Sequence, residues 1–286
     1  MGAVAGHAGR VTAADVLRAL ATAAPIDAQA LAVVVAHPDD EVIGAGAHLP
    51  SLANATVVHV TDGAPRSMHD AHAAGYDRRH DYARARSREA EASLALAGIP
   101  PERVLALGVA DQEASLRMAE LTFRLARFLG DRAIYVVLTH AYEGGHPDHD
   151  ATAFAVHHAA GLIADAGGTE PAVIEMAGYH AGPQGLVTHC FLPGGDPGLT
   201  TELDPAEQAL KRRMLACHVS QSRTLAQFGV EVERYRLAPR YDFAAPPHPG
   251  RLWYEQFDWG MTGARWRALA GEALAELGFG HRCWTA

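Results

Sequence analysis

The sequence predicts an α/β fold: a parallel-rich sheet with helices on both faces, followed by an irregular C-terminal extension. Three observations carry this. Largely apolar runs of strand length recur along the chain and stop at Gly, Asp or His. Stretches of helical length separate them, the alternation that builds a parallel sheet. Polar, metal-capable residues fall directly after the apolar runs, where the ligand crevice of an open α/β sheet lies.

Taken in order, Thr12 caps a helix over 13–23. The run LAVVVA at 31–36 is continuously apolar, as a strand buried on both faces must be, and His37-Pro38 stops it. Further strands are expected at 55–61, ending in Asp62-Gly63; at 103–107, ending near Gly108; at 133–139, ending in His140; and at 171–178. Helices are expected over 78–97, closed by Gly98 and Pro100, over 114–129, closed by Gly130, and over 150–164, 205–217 and 264–277. The chain reads as one domain over 1–286, with a core at about 28–225 and the extension at about 226–286. Pro-rich stretches and all the tryptophans concentrate in the C-terminal third.

Composition excludes several classes. About half of the 286 residues are apolar (49%) and 20% are charged, the balance of a globular enzyme with a sizeable core. The formal charge is −9 and no long Lys/Arg run occurs, so no nucleic-acid partner is expected. The three cysteines, Cys190, Cys217 and Cys283, are far apart and form no CxxC, which argues against a disulfide framework. The first ten residues hold one arginine, Arg10, and no signal-peptide core, and the longest apolar run, 30–36, is far too short for a transmembrane segment. A cytoplasmic protein is the expectation.

The first chemical motif is AHPDDE, Ala36 to Glu41, at a strand's end with a helix starting within a few residues. Imidazole and carboxylate are usual zinc ligands, and His37 with Asp40 can grip one ion from a tight turn. Asp39, adjacent but pointing elsewhere, is left free to act as a base. Carboxylates at a helix N-terminus also sit in a favourable dipole field. An isolated HxDD would more often be an acidic helix start, but this one has an echo. GHPDH, Gly145 to His149, follows the fourth strand through the Gly144-Gly145 turn. His149 can supply the third ligand, His146 can donate a proton or hydrogen bond, and Asp148 can orient a histidine. In a chain with 17 histidines chance clusters are expected, and His157-His158 is read as one. Two HPD motifs at the ends of two parallel strands are a different matter.

AHPDDE after an apolar strand, with HPDH roughly a hundred residues later, resembles the PIG-L/LmbE-like deacetylases over about residues 30–225. Thr61-Asp62-Gly63, Asp111-Gln112 and His218-x-Ser220-Gln221 support the resemblance. It implies a Rossmann-like fold and a single catalytic zinc held by His37, Asp40 and His149. It further implies Asp39 as general base, a protonated His146 at the oxyanion or leaving amine, and Asp148 tuning a nearby histidine. Arg66 and Asp111 correspond in position to residues that hold the sugar or an attached anionic group. The expected reaction is removal of the acetyl group from a small-molecule N-acetylglucosamine-type sugar conjugate. The His2Asp set also suits Fe(II).

Two departures bear on specificity. The tyrosine that assists the oxyanion in the thiol-pathway relatives is replaced by Gly144, with Tyr142 the nearest tyrosine. The segment 234–259 matches nothing in the best-known members, and its aromatics Trp253, Tyr254, Phe257 and Trp259 read first as an apolar cluster covering the sheet, with a sugar-stacking wall or a homo-oligomer contact as alternatives. Competing functions are an amidase acting on another amide, such as a thiol conjugate, and a non-catalytic sugar-binding homologue, which would have no need of Asp39. A nucleotide-dependent dehydrogenase is disfavoured because no GxGxxG follows the first strand.

Overall fold

The computed structural model describes residues 11–52 and 54–279, so Arg10 and Cys283 lie outside the described residues. The elements run α1 (Ala13–Thr22), β1 (Leu31–Val35), α2 (Asp40–Ala45), β2 (Thr56–Pro65), α3 (His69–Ala73), α4 (Arg79–Leu96), β3 (Val104–Asp111), α5 (Met118–Asp131), β4 (Val136–His140), α6 (Pro147–Asp165) and β5 (Ala172–Met176). The chain continues through β6 (Tyr179–Gly182), β7 (Gly185–Thr188), β8 (Leu199–Glu202), α7 (Pro205–Cys217), α8 (Ser222–Leu225), β9 (Val232–Leu237) and α9 (Gly263–Glu276).

Seven strands form one sheet in the order β3-β2-β1-β4-β5-β9-β8. The first five are parallel, and β9 and β8 are added antiparallel at one edge. The expected α/β architecture with a mostly parallel sheet is what the chain adopts. Strand direction accounts for the apolar runs. Val34 joins the core on one face with Leu121, Phe154 and Trp266 of α5, α6 and α9. Val33 and Val35 join the core on the other face with Val16, Leu94 and Met214 of α1, α4 and α7. A strand covered on both sides needs apolar side chains at every position. Each buried Val or Leu contributes about 1.5–3 kcal/mol, so the two layers together hold the sheet.

Local signals place the helix starts. Thr12 and Asp15 form a reciprocal capping box on α1, and Asp204 and Glu207 form another on α7. The differences from expectation cluster at strand ends. β2 runs on to Pro65 and β3 to Asp111, through register shifts near Gly63 and Gly108, both at positive φ. Such irregularities lengthen a strand past the point where its apolar run stops. The segment after 225 does not stand apart from the core, because β9 enters the sheet beside β5.

Strand order reverses between β1 and β4. Successive strands leave this point in opposite directions along the sheet, so a crevice opens at the carboxyl ends of β1 and β4. Both chemical motifs follow these two strands. A buried network behind the crevice fixes α2. The Lys211 ammonium donates to the Ile43 carbonyl and to Glu233 Oε1, each at 2.8 Å, and the Ala47 N–H donates to the same Glu233 oxygen at 2.9 Å. Burial alone would raise the Glu233 carboxyl, but Lys211 and His48 reverse this and hold it at about 2.

Candidate metal centre and active site

The crevice is built by short-range geometry. Asp39 precedes α2 and Asp40 is its first residue, and the Asp40 carboxylate turns back to accept the His37 N–H at 2.7 Å. His140, the last residue of β4, accepts the Ala36 N–H on Nε2 at 2.9 Å, which ties the ends of β1 and β4 together. On the other side α6 starts at Pro147, not near residue 150, with His146 as its cap: His146 Nδ1 accepts the Asp148 N–H at 3.1 Å. The turn before it needs glycine twice. A Cβ on Gly145 would lie 2.0 Å from the Tyr179 carbonyl oxygen, and Gly144 has φ +72°.

Three donor groups converge. His37 Nδ1 lies 3.2 Å from His149 Nε2. One Asp40 oxygen lies 3.1 Å from His37 Nδ1, and the other 3.1 Å from His149 Nε2. Ligands about 2.0–2.1 Å from a tetrahedral ion stand about 3.3 Å apart, and each of these separations is of that size, the two to Asp40 being made by different oxygens of its carboxylate. Lone-pair accounting separates this triangle from neighbouring combinations. His140 Nε2 is occupied by the Ala36 N–H, and His146 Nδ1 by the Asp148 N–H. His37 Nε2 faces Asp111 Oδ1 at 3.1 Å and Asp148 Oδ2 at 3.4 Å, so it carries a proton, and Nδ1 is the nitrogen that points at the triangle. Burial opposes a charge on His37, yet Asp111 and Asp40 outweigh it and raise its pKa well above the usual range, so a cation bound at Nδ1 would have to displace a proton. Burial likewise pushes Asp40 up, but His149, His37 and His140 hold it well below the ordinary carboxylate range. The donors present fit a divalent cation with a His2Asp set.

The histidine that Asp148 was expected to orient is His37, 3.4 Å from its Oδ2, and Asp148 also accepts the Gln112 and Ala114 N–H groups at 2.6 and 3.0 Å. Asp111, expected on sugar hydroxyls, is bonded to His37 Nε2, the arrangement by which carboxylates orient ligand histidines. His146 also differs. Its Nδ1 is an acceptor, and burial followed by the charge of His37 pushes its pKa well below the usual value. The acceptor role of Nδ1 is that of a neutral ring with its proton on Nε2, where an imidazolium was expected.

Asp39 points away from the triangle. Arg86, buried on α4, donates from Nη2 to Asp39 Oδ2 at 2.9 Å and from Nη1 to the Gly63 carbonyl at 2.6 Å. Gly63 is required here, since a Cβ would sit 2.7 Å from the guanidinium carbon. Burial raises the Asp39 pKa and Arg86 opposes the rise. Replacing Arg86 by Met removes the opposing charge. If Asp39 must be ionised for turnover, the acid limb of kcat/KM in Arg86→Met moves to higher pH by about one unit or more. An unmoved limb would separate Arg86 from that role.

Arg66 lies outside the cleft. It is exposed and pairs with Glu113 through both Nε and Nη2, because the lengthened β2 carries it beyond the crevice. Tyr142 is buried, with its hydroxyl donated to the Ala245 carbonyl at 2.9 Å. Tyr179 lines the cleft in its place, 5.2 Å from the His149 ring. The cleft has a volume of about 730 Å³, and Arg86, Tyr179, Trp253, Phe257 and Trp259 are among the lining residues that the sequence did not assign to the site. Arg86 gave no signal, since its helix reads as a charged, solvated stretch.

Beside the second motif, Glu143 is buried, with Oε1 accepting the Gly178 N–H at 3.0 Å and Oε2 unpartnered. Burial raises its pKa to about 8. Its protonated form thus favours the fold at low pH, and that contribution is lost as pH rises from about 4.5 through 8. Each unit in the window costs about 1.4 kcal/mol. Thermal melts should show Glu143→Gln matching the parent chain at pH 5 and exceeding it by several degrees at pH 9; parallel profiles would refute this.

Fold and site together define a mostly parallel α/β protein with a histidine–carboxylate centre at its topological switch point. Residues 32–160, which span both motifs, match the family model described as PIG-L, GlcNAc-PI de-N-acetylase. The resemblance read from the motifs is borne out over that segment. No curated protein sequence matches the chain significantly. Among solved structures, a deacetylase triple mutant of the teicoplanin biosynthetic pathway superposes with a TM-score of 0.53 at 22% identity, covering 68% of this chain and 84% of that one. A zinc-inhibited form of teicoplanin deacetylase gives 0.52 at 16% identity, covering 74% and 99%. The N,N'-diacetylchitobiose deacetylase from Pyrococcus horikoshii gives 0.50 at 19%, covering 81% and 95%. At these identities the likeness establishes a shared fold. Among the described residues no helix is long and apolar enough to cross a membrane.

Proposed function

We propose that this protein is a metal-dependent N-deacetylase that hydrolyses the acetamide of an N-acetylglucosamine-type sugar conjugate. The observation that carries the reading is the His37–Asp40–His149 donor triangle with a buried, Arg86-paired carboxylate, Asp39, beside it. The PIG-L match over 32–160 and the deacetylases among the structural neighbours support the choice of an acetamide.

When bound, a zinc or ferrous ion supplies a Lewis acid that polarises the carbonyl and lowers the pKa of water. The remaining work belongs to side chains. Asp39 accepts a proton from the attacking water, and burial keeps its protonated form within reach, so it can return that proton to the leaving amine. The neutral His146 donates from Nε2 to the oxyanion, and its ring is held by the cap bond to Asp148 N–H. A neutral imidazole is a poor proton source for an amine, which leaves that step to Asp39. Asp111 and Asp148 orient His37. The products are acetate and a free amino sugar.

The test is acetate release across a panel of N-acetylglucosamine conjugates by apoprotein reconstituted anaerobically with Zn(II) or Fe(II), with metal content measured on the same samples. One structural neighbour is described in a zinc-inhibited form, so both metals belong in the assay. Full occupancy by either metal and no acetate from any conjugate would refute the proposal. Release of another acid from a non-sugar amide would replace it with the amidase reading.

A further inference from the structure

The cleft has two unlike ends. Its floor holds the ion triangle, Asp39 and Arg86. Beside the floor a chain of aromatic rings begins. Trp259 lies 4.9 Å from the His146 ring, Phe257 stacks on Trp259 at 4.5 Å and 17°, and Trp253 meets Phe257 edge-on at 6.2 Å. The segment that carries them is firmly anchored. Leu252 and Tyr254 are 4% and 1% exposed in the core, and the Trp253 N–H donates to the Gly144 carbonyl at 2.9 Å. Alternate residues thus fix the backbone while Trp253, Phe257 and Trp259 line the cleft. Phe257 remains 39% exposed, and Val219, which lines the same cleft, is 71% exposed. Exposed apolar side chains gathered at the rim of a polar site mark a place where apolar surface is received.

We infer that the 253–259 segment receives the apolar aglycone of an amphipathic substrate, whose acetamido sugar occupies the polar floor. This rests on the deacetylase reading for the placement of the sugar. A ring face can also stack on the C–H face of a sugar, but the wall runs outward from His146 to Phe257 and the exposed Val219, and an alkyl or aryl group crossing that length loses its water. The surface is continuous from His146 outward, so one molecule of modest length spans floor and wall.

The experiment compares the methyl, phenyl and octyl glycosides of N-acetylglucosamine with the reconstituted protein and its F257S, W253S and F257L variants. Placing an apolar group in a pocket discriminates by roughly tenfold or more. The phenyl and octyl glycosides should exceed the methyl glycoside about tenfold in kcat/KM, chiefly through KM. F257S and W253S should bring the ratio towards one, and F257L should restore most of it. Equal rates for the three glycosides in the parent protein overturn the inference and leave the deacetylase reading intact. An equal loss on all three in F257S also overturns it, giving the wall to the sugar ring. So does a dimer made monomeric by F257S with no change in the glycoside ratio. Where no glycoside yields acetate, calorimetric binding decides: an octyl-over-methyl preference abolished by F257S keeps the wall while the deacetylase reading falls.

Discussion

Asp39→Asn is expected to lower kcat by about 10²–10⁴-fold, the range typical of a positioned general base, while metal content stays near that of the parent protein. The reason is geometric. Asp39 contributes no atom to the donor triangle; its Oδ2 is taken by Arg86. Asparagine keeps an oxygen acceptor for that guanidinium and occupies the same volume, so α2 and Asp40 are left in place. The amide lacks the basicity to accept a proton from water or to hand one on. Turnover by Asp39→Asn within tenfold of the parent protein would show the base to be another group.

His149→Ala should act in the opposite order. It removes the Nε2 that stands 3.2 Å from His37 Nδ1 and 3.1 Å from Asp40 Oδ1, so the variant should purify without stoichiometric metal and show no detectable turnover. A ligand that binds only the folded state stabilises it by about 4 kcal/mol at a free concentration about 1,000 times its Kd. The parent protein should therefore melt at lower temperature after chelation and recover on reloading, whereas His149→Ala should be indifferent to both. Stoichiometric metal in that variant would move the site to the neighbouring group of His37, Asp111, His146 and Asp148, which does not use His149.

Much of this centre was legible in the sequence because its cause is local. Apolar runs ended at His37 and His140, and a parallel sheet with that pattern must open a crevice beside them. What stayed hidden follows from two kinds of masking. In β9 the run VERYRL buries Glu233 and Arg236 with partners supplied by α7 and β5, so a core strand reads as a charged surface. On α4 a single arginine among many turns inward because Gly63 leaves room for it. Arg66 shows the reverse error. Its place after the second strand suggested the cleft, but the strand runs four residues further than its apolar pattern, to Pro65, and delivers Arg66 to solvent. The aromatic segment could not be divided from sequence alone. Only the fold separates buried Leu252 and Tyr254 from their cleft-lining neighbours.

The hydrogen bond from Ala36 to the His140 ring has a consequence for how the molecule comes into being. The two halves of the centre are 112 residues apart in the chain and meet only when the first and fourth strands lie side by side. Such distant parallel pairing forms late, after the entropy of closing a long loop has been overcome. A nascent chain ending before the fourth strand carries only His37 and Asp40 of the donor triangle, so any tight hold on a cation would come only after β4 and α6 have joined β1, with β5, β8 and β9 still to be added.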